Sequence, residues 1–172
     1  SCYQDARFIL VATPSGISLG PEGGAHQSIF TPLVGIGHPN LIAYEPAFAD
    51  ELENILSWSF SHIQQDKGSS VYLRLSTRQI NQPQRVLRES NKKEIIDGGY
   101  WIIPPKEGSD FALIYCGVIA PEALEAFKLI EHDIPNSGVL AVTSPDRLHA
   151  DWNLNAKKRR LGEKNSKSHI EN

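Results

Sequence analysis

The sequence of 172 residues has no methionine, only two cysteines, and no apolar run near the ~20 residues that span a bilayer. Two cysteines cannot build a disulfide framework. Cys116 lies inside an apolar run, so we expect a buried thiol in a reducing, soluble compartment such as the bacterial cytoplasm. The net charge of −3 gives no electrostatic reason to expect nucleic acid or an anionic membrane as a partner.

The lack of methionine also bears on the ends of the chain. Position 1 is not an unprocessed initiator, and the sequence moves almost directly into an apolar run. No basic region followed by an apolar core marks the amino terminus as a secretory signal. We therefore expect both ends to be cuts inside a longer protein.

What the sequence does contain is an alternation of apolar runs and helical periodicity, which predicts an α/β fold. Strands are predicted at 8–12, 40–44, 71–75, 100–103, 111–116 and 138–142. The first and the fifth of these strands are expected to be buried. A helix is predicted from Pro46, with six apolar residues on one face: Phe48, Leu52, Ile55, Leu56, Phe60 and Ile63. A second is predicted from Pro121, and residues 143–146 are typical of the cap of a third.

A polar stretch at 81–97 divides this pattern and is predicted to be a linker. Strands and helices alternate on both sides of it, which favours parallel sheets covered by helices. The predicted fold class is therefore α/β, with two three-layer α/β units and mainly parallel sheets, at 1–88 and 89–172. The basic run at 157–160 is interpreted as a solvated helix end rather than a targeting or anion-binding patch, and the polar tail is expected to be mobile.

A glycine-rich loop follows the first predicted strand and carries one carboxylate, Glu22, and one imidazole, His26. In α/β sheets, ligands bind outside the carboxyl ends of the strands, and paired glycines let the backbone approach a ligand closely. A histidine can accept or donate a proton near neutral pH. The loop is therefore a candidate site; the alternative is a solvated loop with an incidental histidine.

Four segments, taken in order, resemble the thiamine-diphosphate-dependent transketolase superfamily. Residues 22–27 read Glu-Gly-Gly-Ala-His-Gln, residues 38–51 hold a Pro-Asn-apolar strand that ends in proline before an acidic helix start, and residues 76–79 read Ser-Thr-Arg-Gln. Residues 142–153 are similar to the carboxy-terminal domain of the homodimeric pyruvate dehydrogenase type. The resemblance implies the carboxy-terminal half of the pyrimidine-binding domain at 1–88 and the start of the carboxy-terminal domain at 89–172.

The resemblance also implies an activity. It indicates a segment of a 2-oxo acid dehydrogenase that decarboxylates a substrate such as pyruvate and passes the acyl group to lipoyl. His26 matches a catalytic histidine that faces the substrate oxygen as charge develops there. Glu22, Gln27 and Arg78 match substrate-binding positions: Arg78 stands where the family binds phosphate, and Glu22 replaces an aspartate one methylene shorter. From the residues alone, the simpler interpretation is that Glu22 is a solvated acid in a loop and that Arg78 belongs to a surface ion pair.

The cofactors that the resemblance implies are thiamine diphosphate and Mg²⁺. The motifs that bind these cofactors in the family do not occur in this sequence. The family holds the diphosphate and its metal through a Gly-Asp-Gly motif followed by an asparagine, and a glutamate on an earlier segment contacts the aminopyrimidine. No Gly-Asp-Gly occurs here, and residues 97–99 (Asp-Gly-Gly) are a poor substitute. We therefore expect a middle piece of a larger enzyme that supplies substrate contacts, has no metal ligands of its own, and neither binds the cofactors nor is active alone.

The partners implied by the resemblance are a second copy of the chain, in a homodimer, and the dihydrolipoyl acyltransferase core of the enzyme complex. Two alternatives from the same resemblance stay open: a transketolase that transfers a two-carbon ketol unit, and a non-catalytic dimerisation or assembly segment. A free-standing nucleotide-binding domain is disfavoured, because no Gly-x-Gly-x-x-Gly and no phosphate-loop lysine follows any predicted strand.

Overall fold

The structure is a computed structural model that describes residues 4–13, 16–28 and 30–171. Its strands are β1 (Ile9–Ala12), β2 (Leu41–Tyr44), β3 (Ser70–Arg74), β4 (Gly99–Ile103), β5 (Ala112–Cys116) and β6 (Gly138–Val142). Its α-helices are α1 (Thr31–Ile36), α2 (Ala49–His62), α3 (Glu89–Asp97), α4 (Ala120–Ile130) and α5 (Pro145–Arg160). Short 3-10 turns at Gly16–Glu22, Gly117–Ile119 and His169–Glu171 complete these elements.

The strands form two small sheets. In the first sheet the order is β1-β3-β2 and both pairings are parallel. In the second the order is β4-β6-β5, where β5 runs parallel to the central strand and β4 runs antiparallel to it. The predicted α/β class with mainly parallel sheets is therefore confirmed. Within the described ranges, no helix combines the length and the hydrophobicity that crossing a lipid bilayer requires.

The prediction that β1 and β5 are buried is wrong. Leu10 and Val11 on β1 are 44% and 50% exposed, and Phe111 and Ile114 at β5 are also exposed. Both strands lie at the edge of a three-stranded sheet, where one side has no neighbouring strand. A continuous apolar run predicts the strand but not how much of the molecule covers it.

Helix α2 starts later than the sequence predicts. It begins at Ala49 rather than at Pro46, and it ends at His62. Ile55 is fully buried, as predicted for the apolar face, but Phe60 is 57% exposed.

The stretch predicted as a linker contains helix α3. Its apolar content is two adjacent isoleucines, of which Ile95 is fully buried and Ile96 packs against the core. The hydroxyl of Tyr44 donates to the carbonyl of Ile96 at 2.8 Å, which ties the helix to the first sheet. The division at residue 88 stays a prediction, because α3 begins there but packs against elements on both sides.

The tail after α5 is folded, contrary to the expectation of a mobile tail. Ser144 caps α5 as predicted, since its side chain accepts from the Arg147 N–H. Beyond the helix, Glu171 accepts from Arg159 at 2.9 Å, and the His169 N–H donates to Asp151 at 2.7 Å. These contacts return the chain to the side of α5.

The two sheets meet at the carboxyl ends of their strands and share one hydrophobic core. The Glu45 N–H, just after β2, donates to the carbonyl of Thr143, just after β6, at 2.8 Å. The Ser144 hydroxyl donates to the carbonyl of Ala43 at 2.5 Å. The common core contains buried residues from both halves: Tyr44, Phe48, Ile55, Val71, Leu73, Ile95, Tyr100, Tyr115, Ala120, Phe127, Val139 and Ala141.

Candidate functional site

The predicted site loop is a closed excursion from the end of β1. The 3-10 turn Gly16–Glu22 forms its first half, and Gly16 and Ser28 pack together at its base. A side chain at position 16 would place its Cβ only 2.4 Å from the backbone nitrogen of Ser28, so only glycine fits there. The loop therefore has the form of an Ω-loop, a compact segment whose ends are close together.

The three predicted loop residues all face solvent. The His26 N–H donates to the carbonyl of Gly23 at 3.1 Å, which closes a turn at the tip, and Glu22 ends the preceding 3-10 turn. Gln27 lies beside Gly20 and lines a surface cavity of about 390 Å³ together with Gly16, Ile17, Ser28 and Pro32. The tip thus presents an accessible imidazole, and the neighbouring residue Gln27 lines a partly apolar cavity.

Two serines join this loop to the segment that carries Arg78. The Ser76 hydroxyl donates to the hydroxyl of Ser18 in the loop at 3.0 Å. The same Ser76 oxygen accepts from the backbone N–H of Arg78 at 3.0 Å. The structure therefore joins the two predicted site segments through a hydrogen bond between two side chains, and this contact between Ser18 and Ser76 is one that sequence reasoning missed.

The side chain of Arg78 forms an ion pair with helix α4. Its guanidinium Nη2 lies 2.5 Å from Oε1 of Glu122, and both side chains are about half exposed. Arg78 also lines a cleft of about 700 Å³ between the 78–83 segment and α4. The hydrogen bond from Arg78 lowers the pKa of Glu122 and keeps that carboxylate ionised.

A second polar pair, which the sequence did not reveal, lies buried where the sheets meet. Arg74, at the end of β3, donates to Oε2 of Glu45 at 2.8 Å, and Arg74 is only 7% exposed. Burial raises the pKa of Glu45, and the charge of Arg74 opposes that rise. The turn after β5 packs directly against Glu45, because a Cβ on Gly117 would lie 2.6 Å from this carboxylate.

Among the remaining reactive side chains that the structure describes, we find neither an activated nucleophile nor a metal centre. Burial raises the pKa of the Cys116 thiol to about 12, so it stays protonated and weakly nucleophilic at neutral pH. Across residues 4–13, 16–28 and 30–171, no three His, Cys, Asp or Glu side chains are grouped so that they could hold a metal ion.

Replacing Ser76 with alanine is expected to loosen the loop without unfolding the chain. The change removes one donor to Ser18 and one acceptor for Arg78, contacts worth about 1 kcal/mol each at most. We expect amide hydrogen exchange in the described part of 16–28 to accelerate about fivefold to tenfold. Ser109→Ala is the matched control, since Ser109 bonds only within its own exposed turn near Phe111. Equal exchange in both variants would contradict the proposed link.

Comparison with known proteins identifies the relatives of this chain. No family model matches it. The pyruvate dehydrogenase E1 component of Escherichia coli K12 is 29% identical over 161 residues, which cover 88% of this chain and 18% of that protein. The probable transketolase of Schizosaccharomyces pombe is 28% identical over 131 residues, which cover 76% of this chain and again 18% of that protein. The chain is thus similar in sequence to parts of a pyruvate dehydrogenase E1 component and of a probable transketolase. It spans less than a fifth of the length of these relatives.

Solved structures of transketolases confirm the fold. Transketolase from Leishmania mexicana superposes on 87% of this chain and 21% of its own, with a TM-score of 0.72 and 19% identity. A mutant transketolase from Pichia stipitis covers 85% of this chain and 20% of its own, with a TM-score of 0.67 and 24% identity. A structure described as a split gene transketolase, an inactive beta4 tetramer, covers 93% of this chain and 47% of its own, with a TM-score of 0.59 and 22% identity. The two sheets thus share the fold of parts of these transketolase chains.

Proposed function

We propose that the chain is the substrate-side segment of a larger thiamine-diphosphate-dependent enzyme of the pyruvate dehydrogenase type. The observation that carries this proposal is the exposed His26 loop, which Ser76 joins to the Arg78 segment at the carboxyl ends of β1 and β3. The similarity of the chain to both the pyruvate dehydrogenase E1 component and transketolase supports this enzyme class. The match of residues 142–153 to the dehydrogenase type favours the dehydrogenase over transketolase.

Each residue of the proposed site has a role that suits its position. The exposed imidazole of His26 would hydrogen-bond the oxygen of a bound 2-oxo acid and stabilise the charge that develops there. Gln27, which lines the adjacent cavity, would orient the substrate through its amide. Glu22 supplies an acceptor suited to a hydroxyl, and Arg78 supplies a cationic fork suited to an anionic group of the substrate, a fork that Glu122 occupies in this structure.

The side chains present do not fit the anchoring of a diphosphate through Mg²⁺, which prefers a cluster of oxygen ligands. Among the residues that the structure describes, no group of acidic, histidine or cysteine side chains could hold such a metal. We therefore propose that other parts of the larger enzyme bind thiamine diphosphate and Mg²⁺, and that this chain binds neither alone. The structure described as a split gene transketolase, an inactive beta4 tetramer, is consistent with the proposal that part of such an enzyme is inactive alone.

The proposed partners follow from the same assignment. Self-association is supported by the edge strand β1 and by the exposed apolar side chains around the loop, among them Ile17, Phe30 and Leu33. Delivery of the acyl group would require the dihydrolipoyl acyltransferase core. The free thiol of Cys116 suits a reducing compartment such as the bacterial cytoplasm.

Replacing His26 with alanine in the larger enzyme tests the proposal. We expect kcat/KM for pyruvate decarboxylation to fall by about 10²–10⁴, because a positioned proton donor is lost. The oligomeric state, followed by light scattering, should not change. The control is His38→Ala, which removes an exposed histidine outside the loop. If turnover of the His26 variant equals that of the control, the chain is an assembly segment, and if only a ketose phosphate is turned over, the enzyme is a transketolase.

A further inference from the structure

The carboxylate of Glu122 binds the guanidinium of Arg78, which the proposed site would otherwise offer to its substrate. The two side chains are 42% and 53% exposed, so water and small solutes can reach both. Such an exposed pair is weak and exchanges readily with other partners. The guanidinium is therefore accessible, but its nearest anion is a residue of the chain itself.

The cleft beside this pair is mainly apolar, with a few charges at its border. Its apolar lining includes Phe48, Ile80 and Leu124, and its charged lining consists of Arg78, Glu125 and Lys128. Glu122 lies in the first turn of α4, where the helix dipole favours a negative charge. The helix start therefore favours a negative charge at this position, with or without the arginine.

We propose that Glu122 is a specificity-determining residue, which fills the Arg78 fork and disfavours substrates that end in a phosphate dianion. The inference rests on the proposed function, in which Arg78 borders the substrate. Glu122 neutralises the charge of Arg78, and any anion that binds the same fork must approach this carboxylate. The repulsion is twice as large for a dianion as for a monoanion and vanishes for an uncharged tail. The apolar cleft then favours a small 2-oxo acid over a sugar phosphate.

Binding of inorganic phosphate to the 172-residue chain tests this without any turnover. Phosphate is titrated at about pH 8 and low ionic strength, and the Arg78 side-chain signals are followed by NMR. We expect E122Q to bind phosphate about threefold to tenfold more tightly than the unmodified chain, since one like charge next to the fork is removed. Arg78→Gln in the E122Q background should abolish this gain.

The matched control is E125Q, which makes the same charge change on the same helix, at a residue that lines the cleft beside the ion pair. Glu125 is exposed and lies three residues from Glu122, so a general effect of net charge would appear equally in both variants. We expect E125Q to change phosphate affinity by less than twofold. Equal gains in E122Q and E125Q, or no gain in either, would overturn the proposal.

A second measurement separates failure of this inference from failure of the proposed function. In the larger enzyme, E122Q should raise the ratio of kcat/KM for a phosphorylated 2-oxo or ketose substrate over that for pyruvate by about the factor found for phosphate binding. An unchanged ratio, in an enzyme that still requires His26, refutes the role of Glu122 and leaves the proposed function intact. If the larger enzyme keeps its activity without His26, the proposed function is refuted. The phosphate affinities of the chain and its E122Q variant then still test whether Glu122 weakens anion binding at Arg78.

Discussion

Replacing Glu51 with alanine is expected to lower the free energy of unfolding of the chain by about 3–5 kcal/mol, the cost of breaking a buried polar network. The Glu51 side chain is 1% exposed and satisfies groups on both halves of the chain. Its Oε2 accepts from the N–H groups of Ala47 and Phe48 at 2.8 Å and 3.2 Å, at the start of α2. Its Oε1 accepts from the Tyr100 hydroxyl at 2.5 Å and lies 3.4 Å from Arg85.

Two features of this network explain the size of the effect. Loss of the carboxylate leaves two helix-start N–H groups and one tyrosine hydroxyl without acceptors in the core, and each costs about 1–3 kcal/mol. Arg85 keeps its pair with Asp50 at 2.6 Å, so the loss at that residue is partial. Arg85 also lies over the rings of Phe48 and Tyr100, at 5.4 Å and 5.3 Å from their centroids, and closes the network from outside.

Urea denaturation of the chain measures this effect. Glu53→Ala is the control, because Glu53 is exposed on the same helix and its loss should change stability by no more than about 0.5 kcal/mol. A double-mutant cycle with Tyr100→Phe should give a coupling energy of about 1–3 kcal/mol between Glu51 and Tyr100. A cost below 1 kcal/mol for Glu51→Ala would show that the network is not a main source of stability.

Replacing Gly117 with alanine is the second change with a large expected effect, a loss of about 3 kcal/mol or more in unfolding free energy. Gly117 has φ +63, a conformation that costs about 1–2 kcal/mol for a residue with a Cβ. The new Cβ would also lie 2.6 Å from the Glu45 carboxylate and displace it from Arg74. A partly broken pair in this buried place adds to the backbone cost.

Gly108 provides the control that separates these two causes. It has φ +79, and nothing lies within 4 Å of the Cβ it would carry, so Gly108→Ala reports the backbone cost alone. In a chain that already carries Glu45→Ala, the cost of Gly117→Ala should fall to that of Gly108→Ala, as a chemical denaturation series can show. Equal costs for the two alanines in the unmodified chain would mean that Glu45 moves aside freely.

The strands of this fold follow from the sequence, but their surroundings do not. All six strands are predicted within one or two residues, because each is a short apolar run next to glycine, proline or polar breakers. Helix α3 was missed since its nine residues are mostly charged or polar and only Ile95 and Ile96 reach the core. The core itself depends on contacts across 40 to 50 positions, such as Glu51 with Tyr100, which no local pattern contains.

The candidate site shows the same division between local and distant information. The breakers and glycines after the first predicted strand predicted a loop there that carries His26, and the structure has that loop, with His26 exposed on it. The link from Ser18 to Ser76 spans 58 positions, and no local pattern in the sequence pairs these two serines. The partner of Arg78 lies on the helix of the other half, and only the packing of the two halves reveals it. The roles of His26, Glu22, Gln27 and Arg78 stay predictions.

Because the two sheets pack against each other at the carboxyl ends of their strands, we do not expect the chain to separate into two stable domains. A cut between residues 88 and 89 would follow the sequence pattern, but it would separate Tyr44 from Ile96 and Glu51 from Tyr100. Each piece would then expose to water the apolar surface that the other one covers. We therefore expect the two halves to unfold together, as one cooperative unit.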